Sequence, residues 1–243
     1  MLNSLKKFGG KLARLSNNQN MQKSQTDLQK KVHEQKLNLG EYFGAIIAGY
    51  LLKRFRRLIK FPLLDAGCGG GDVIKKLRQL YPQYLEQIIG IDLVAVPELN
   101  VIQGDIKKMP FEDEKFKTII CTEVLEHLDD ETLEKTLGEF KRVLTNDGYL
   151  ICTFPYDEKL ERNTFICPHC NKSFHRYGHV QSWHSEESIR EMFESAGFKI
   201  KELDILPLGA VAKFPPLRLF KLLLNKLDNP PGLRKRAVVV ITK

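Results

Sequence analysis

FPLLDAGCGGGDVIKKLRQLYPQYLEQIIGID, residues 61–92, reads as strand, glycine-rich turn, helix and strand. Residues 61–64 form a short apolar run suited to a strand buried on both faces, and Asp65-Ala66-Gly67-Cys68-Gly69-Gly70-Gly71 follows without a break. Residues 72–80 place apolar side chains at helical spacing, with Asp72 positioned to cap the first turn. Residues 88–91 are a second strand, and Asp92 stands at its carboxyl end. Glycines lack Cβ, so such a turn bends sharply and lets a ligand approach the backbone, while amide N–H groups and the positive end of the helix dipole face the same point. A carboxylate at the end of the next strand can accept two hydrogen bonds from a ribose diol. Together these residues suit a nucleotide-like ligand; the glycines taken alone suit a plain tight turn equally well.

The flanking sequence extends the pattern. Residues 41–60 are helical in spacing, with Phe43, Ile46, Ile47, Tyr50, Leu51 and Leu58 on one side and basic residues toward the end, where they complement the helix dipole. Too few residues separate Asp92 from the strand at 100–103 for a crossover helix, so a turn is expected there. Asp105 follows that strand. Residues 116–121 are a fourth strand, 131–144 an amphipathic helix ended by Asn146-Asp147-Gly148, and 149–154 a fifth strand stopped by Pro155. A helix at 186–196, a strand at 198–206 and a last strand at 236–242 complete the chain.

Asp65-x-Gly67-x-Gly69-x-Gly71 followed by the acidic strand end at Asp92 resembles the first motif of the class I S-adenosylmethionine-dependent methyltransferases. A nicotinamide-dependent oxidoreductase would want G-x-G-x-x-G, which Asp72 breaks at its third glycine. The resemblance implies an α/β, Rossmann-like, doubly wound and mostly parallel seven-stranded sheet with an antiparallel last strand and helices on both faces. It implies S-adenosylmethionine as cofactor, held by Asp65, Gly67, Cys68, Gly69, Gly71, Asp92, Leu93, Asp105, Ile106 and Cys121. Glu123-Val124-Leu125-Glu126-His127 is similar to a pattern of many small-molecule methyltransferases. Glu123, His127 and His179 are the candidate bases, needed only if the acceptor must lose a proton, and each also suits a structural role.

Residues 155–185 interrupt the pattern. Cys167-x-x-Cys170 followed by His175 and His179 has the proportions of a small zinc knuckle, giving a candidate structural metal site at Cys167, Cys170, His175 and His179. A chelate using His169 or His184, a redox pair and an unmetallated loop are the alternatives. His179 has a competing role, since the resemblance places this segment over the transferred methyl group.

Composition bounds the rest. The 243 residues, 42% apolar and 28% charged, can bury one core of moderate size. No apolar run is long enough to span a bilayer, no leader is evident, and five cysteines without a framework spacing point to a reducing, cytoplasmic setting. The net charge of +8 is uneven: residues 1–60 carry 13 Lys and Arg against 3 Asp and Glu, residues 213–243 carry 8 against 1, and the remainder is acidic. Residues 1–40 read as a basic, mobile arm before a catalytic domain at 41–243, and 207–235 as a basic amphipathic insertion. These ends suit contact with an anionic membrane surface or a lipid-linked or glycan acceptor, a nucleic acid, or simply solvent. The expected partners are thus a small-molecule or lipid-linked substrate first and nucleic acid second.

Overall fold

The computed structural model describes residues 44–213 and 234–243, all in the unit spanning residues 41–243. The basic arm at 1–40 and most of the amphipathic insertion, residues 214–233, lie outside the described residues. The described chain runs α1 (Gly44–Arg54), β1 (Leu63–Ala66), α2 (Asp72–Leu80), β2 (Ile88–Asp92), β3 (Val101–Gln103), β4 (Phe116–Thr122), α3 (Asp130–Val143) and β5 (Leu144–Pro155). It continues through β6 (Thr164–Ile166), β7 (Ser173–His175), α4 (Glu186–Ser195), β8 (Lys199–Leu206), α5 (Leu208–Lys213) and β9 (Arg236–Thr242).

Seven strands form one sheet in the order β3-β2-β1-β4-β5-β9-β8, parallel throughout except for β9, which runs antiparallel to both neighbours. This is the expected sheet. Its central strands bury nearly continuous runs, as in β1 and β9, because both faces are covered. Along β9, Ala237, Val239 and Ile241 join one core layer with Leu137 and Phe140 of α3 and Phe193 of α4. Val238 and Val240 point the other way, into a layer with Leu51 of α1 and Ile74 and Leu77 of α2. The period of two along an extended chain thus assigns alternate residues to opposite helix layers.

Three boundaries differ from expectation. β1 extends through Asp65 and Ala66, carrying the acidic residue into the sheet. Gly71, not Asp72, is the N-cap of α2; it sits at φ 75°, and a Cβ there would stand 2.6 Å from Leu99 Cδ1, so the turn leaves no room for a capping side chain. Asn146-Asp147-Gly148 does not separate α3 from the fifth strand but lies inside β5 as an irregularity: Phe116 pairs with Leu144 and Thr118 with Tyr149. Between β2 and β3 the connection is a single turn, Pro97–Leu99, as its length required. Leu99 from that turn packs over Gly71.

Candidate active site

The carboxyl ends of β1, β2, β3 and β4 converge on the glycine turn. Gly67, Gly69 and Gly71 adopt φ of 70°, 54° and 75°, values that a side chain would strain. The Gly67 amide donates to Ile91 O at 2.8 Å and the Gly69 amide to Asp92 Oδ2 at 2.9 Å, so the loop is laced to the end of β2. Val124 closes over Gly67, with its Cγ2 2.6 Å from where a Cβ would stand.

Asp65 lies beneath this loop, 1% exposed, and neither of its carboxylate oxygens has a hydrogen-bond partner. Burial first, then the nearby charges of Asp92 and Asp72, push its pKa up to about 8. An unsatisfied buried carboxyl costs stability by itself, and a cationic ligand group would relieve it. Cys68 is governed by the same burial, which raises its thiol pKa and keeps it a packing group.

The other expected cofactor residues differ in what their side chains do. Asp105, at the mouth after β3, accepts from the Lys107 amide at 3.1 Å and pairs with Lys107 Nζ at 3.3 Å. Leu93 is half-buried and its carbonyl accepts from Gln103 Nε2. The side chains of Ile106 and Cys121 belong to the core, so only their backbones remain for a ligand. The Cys121 thiol meets Cys152 across the β4–β5 pairing.

Beyond β4 the chain enters Glu123 at φ 54°, and the three candidate bases separate. Glu123 accepts from Arg236 Nε at 2.7 Å and from Thr153 Oγ1 at 3.1 Å; it ties the end of β4 to β5 and β9. His127 and His179 come together, their ring centroids 4.9 Å apart. His127 Nδ1 lies 3.1 Å from the Gly178 carbonyl, and His179 Nδ1 bonds Glu158 Oε2. Burial opposes ionisation of Glu158, yet the His179 hydrogen bond and the charges of His179 and His175 outweigh it and hold its pKa below the usual carboxylate range.

Two residues central to this cluster are not among those expected from the sequence. Glu126 is 1% exposed, with both carboxylate oxygens unpartnered, and its own carbonyl accepts from the Val180 and Gln181 amides at 2.8 and 3.2 Å. Burial first and the neighbouring Glu123 second raise its pKa well above the usual range. Glu126 stands inside the Glu-x-x-Glu-His pattern, which is the signal available; Glu158 has none, being one of three acids in the insertion and part of no motif.

The expected zinc set is not brought together. β6 and β7 form a hairpin in which His175 pairs with Thr164, and the Cys167 amide donates to Lys172 O in the connecting turn. Cys167 and Cys170 are therefore at the hairpin tip while His175 and His179 lie at its base. Three residues of extended chain span about 10 Å, against a metal–ligand bond of about 2 Å. Among the described residues the groups able to hold an ion are Glu126 with His127 and His179, and Glu158 with His175 and His179; neither includes a cysteine.

Comparison with known proteins gives a concordant picture. A methyltransferase-domain family profile matches residues 10–203. An uncharacterized protein of Methanocaldococcus jannaschii is 30% identical over 152 residues; the match covers 62% of this chain and 60% of that relative, less than two thirds of its length. Among solved structures, 1,6-didemethyltoxoflavin-N1-methyltransferase of Burkholderia thailandensis, with 1,6-didemethyltoxoflavin and S-adenosylhomocysteine bound, superposes with a TM-score of 0.57 at 14% identity over 90% of this chain and 86% of that one. An S-adenosylmethionine-dependent methyltransferase of Clostridium acetobutylicum gives 0.55 at 13% identity over 89% and 98%. At such identities the likeness is one of fold.

Proposed function

This chain belongs to the class I S-adenosylmethionine-dependent methyltransferases, and we propose that it holds the cofactor's methionine end over Asp65 and the glycine turn. The observation that carries the reading is Asp65, a fully buried carboxyl with no partner directly under three glycines of left-handed conformation. The methionine end brings an ammonium group, and an ionised Asp65 answers it. Asp92, at the end of β2, is the acceptor for the ribose hydroxyls, and Asp105 stands on the adenine side, where the single-turn connection leaves the pocket edge to Leu99. The nicotinamide reading falls with the family assignment.

The reaction asks little of acid–base chemistry. The acceptor's lone pair forms a bond to the methyl carbon while the sulfur–carbon bond breaks, its electron pair neutralising the sulfonium; alignment carries most of the acceleration. Glu123 is engaged by Arg236 and Thr153, which makes it a positioning residue. His127 and His179, whose rings pack together beyond the end of β4, are the groups we assign to the acceptor's approach.

Calorimetric titration with S-adenosylhomocysteine tests the reading. Micromolar binding is expected, weakened at least tenfold, about 1.4 kcal/mol, by Asp92→Ala; the absence of any binding by the native protein would end it. For the acceptor we favour a small-molecule, glycan or lipid-linked group, a preference resting on the basic ends of the sequence. No helix among the described residues is long and apolar enough to cross a membrane. Binding to anionic vesicles that vanishes when residues 1–40 are removed supports the lipid-linked choice, and steeply salt-dependent RNA binding would replace it with a nucleic-acid acceptor.

A further inference from the structure

We propose that Glu126, His127 and His179 form a binding site for a divalent cation beside the methyl-transfer site, with Glu158 and the Gly178 carbonyl orienting the two imidazoles. One ligand atom from each of the three residues lies within 4.8 Å of the other two. Ligands about 2.1 Å from a common zinc ion stand about 3.0–3.4 Å apart, so small side-chain rotations complete the shell.

The tautomer each ring takes when neutral is set by its partners. A carbonyl oxygen only accepts, so His127 Nδ1, 3.1 Å from Gly178 O, carries the proton and the neutral ring has its lone pair on Nε2. The Glu158 carboxylate fixes His179 in the same tautomer through Nδ1, and His179 Nε2 looks toward Glu126 Oε1, 3.9 Å away. A histidine whose far nitrogen is bound by a carboxylate or carbonyl is the arrangement that supports metal ligation. Glu126 supplies the independent observation: its side chain is 1% exposed, it points at His179, and neither oxygen has a hydrogen-bond partner. A buried carboxylate in that condition is costly unless a charge meets it.

The neighbouring group of Glu158, His175 and His179 fails the same test. His175 Nδ1 accepts the His179 amide at 3.0 Å, so in the neutral ring Nε2 bears the proton and cannot ligate. Its role is to hold the 175–179 turn, while Glu158 serves as the orienting carboxylate. Two imidazoles and one carboxylate without sulfur select a borderline or hard divalent ion, such as zinc, manganese, iron or cobalt, and leave coordination positions open. Those positions suit an acceptor hydroxyl, an extension that rests on the methyl-transfer reading. An ion held there would lower the pKa of such a hydroxyl so that it releases its proton to water, and the oxygen would take the methyl carbon as the sulfur–carbon pair returns to sulfur.

The test uses the full-length protein, stripped with a chelator and titrated with cobalt(II) chloride by calorimetry and visible absorption, with S-adenosylhomocysteine titrated in parallel. The expected result is one cobalt per chain with visible ligand-field bands and no thiolate charge-transfer band. Glu126→Gln and His179→Gln are expected to weaken cobalt at least tenfold each, and the Cys167→Ser, Cys170→Ser double variant to leave it unchanged. Glu158→Gln, which touches the ion only through His179, is expected to cost about tenfold or more. Circular dichroism and S-adenosylhomocysteine affinity report whether each variant is folded, and two separate ligand variants protect against the loss of one. Cobalt bands of thiolate character that disappear in the double cysteine variant would overturn the proposal, as would bound S-adenosylhomocysteine with no cobalt. Cobalt without S-adenosylhomocysteine would instead remove the methyltransferase reading and leave the cation site standing.

Discussion

The two halves of the site are built by opposite means. The half proposed to hold the cofactor, from β1 through β2, is made of backbone: glycines at positive φ, amides directed at a neighbouring strand end, and an aspartate on each of the two strands. The half proposed to face the acceptor is made of side chains drawn from distant places, Glu126 and His127 after β4, Glu158 after β5, and His175 and His179 around the β6–β7 hairpin. Backbone geometry is written in a short stretch of sequence and tolerates little change. A side-chain cluster depends on which loops fold onto each other, and it can be altered one group at a time. This is how one fold keeps its cofactor while its acceptor chemistry varies.

Substitutions in each half test that contrast. The largest effect is expected at Asp65. Its carboxyl ionises near 3.8 when unfolded and near 8 when folded, so between those values the folded protein retains a proton that the unfolded chain has released. Its contribution to stability is present below pH 4 and declines as pH rises toward 8. The decline amounts to several kcal/mol, because each tenfold difference in proton affinity between the folded and unfolded chains is worth about 1.4 kcal/mol. Melting curves from pH 5 to 8.5 without ligand should show the native protein losing stability relative to Asp65→Asn. Bound S-adenosylhomocysteine should reduce that slope, and parallel curves for the two proteins would dismiss a buried acid at this position.

Next comes a pair of glycines, one from each half. Gly67→Ala imposes left-handed strain of about 1–2 kcal/mol and also drives a Cβ to 2.6 Å from Val124; a loss of about a hundredfold in S-adenosylhomocysteine affinity is expected. Gly178→Ala carries the same φ strain at 77° but meets only His127 Nδ1 at 3.5 Å, an ordinary contact. Its cost is expected to be about 1 kcal/mol of stability by denaturant titration, with cofactor affinity kept. Equal effects of the two would contradict a backbone-built cofactor half and a side-chain-built acceptor half. The smallest effect belongs to the hairpin tip: replacing Cys167 and Cys170 by serine should change stability by less than about 0.5 kcal/mol, and a larger loss would mean that the tip is stapled by a metal after all.

The difference between the halves also explains what could be read from the chain. The glycine turn, Asp92 at the end of β2, the missing crossover helix and the last strand at 236–242 were legible because each is a local pattern of spacing or length. The Asn-Asp-Gly in β5 misled because turn residues also suit an irregularity, and only the pairing of Phe116 with Leu144 distinguishes the two. The zinc set misled for a related reason. Cys167, Cys170, His175 and His179 are close in sequence, but a hairpin holds its tip and base apart along extended chain, so sequence proximity is not proximity in space.

The sheet and its glycine turn follow from the amino-acid order alone, since two-sided apolar runs, glycine conformation and loop length act over a few residues. The condition of the polar groups does not, because it depends on what the folded chain packs around them. Asp65 and Glu126 are ordinary acids on paper. They become unpartnered buried carboxyls because the sheet and its helices remove water from around them, and His179 becomes a ligand-competent imidazole because Glu158, 21 residues earlier, folds against its other nitrogen.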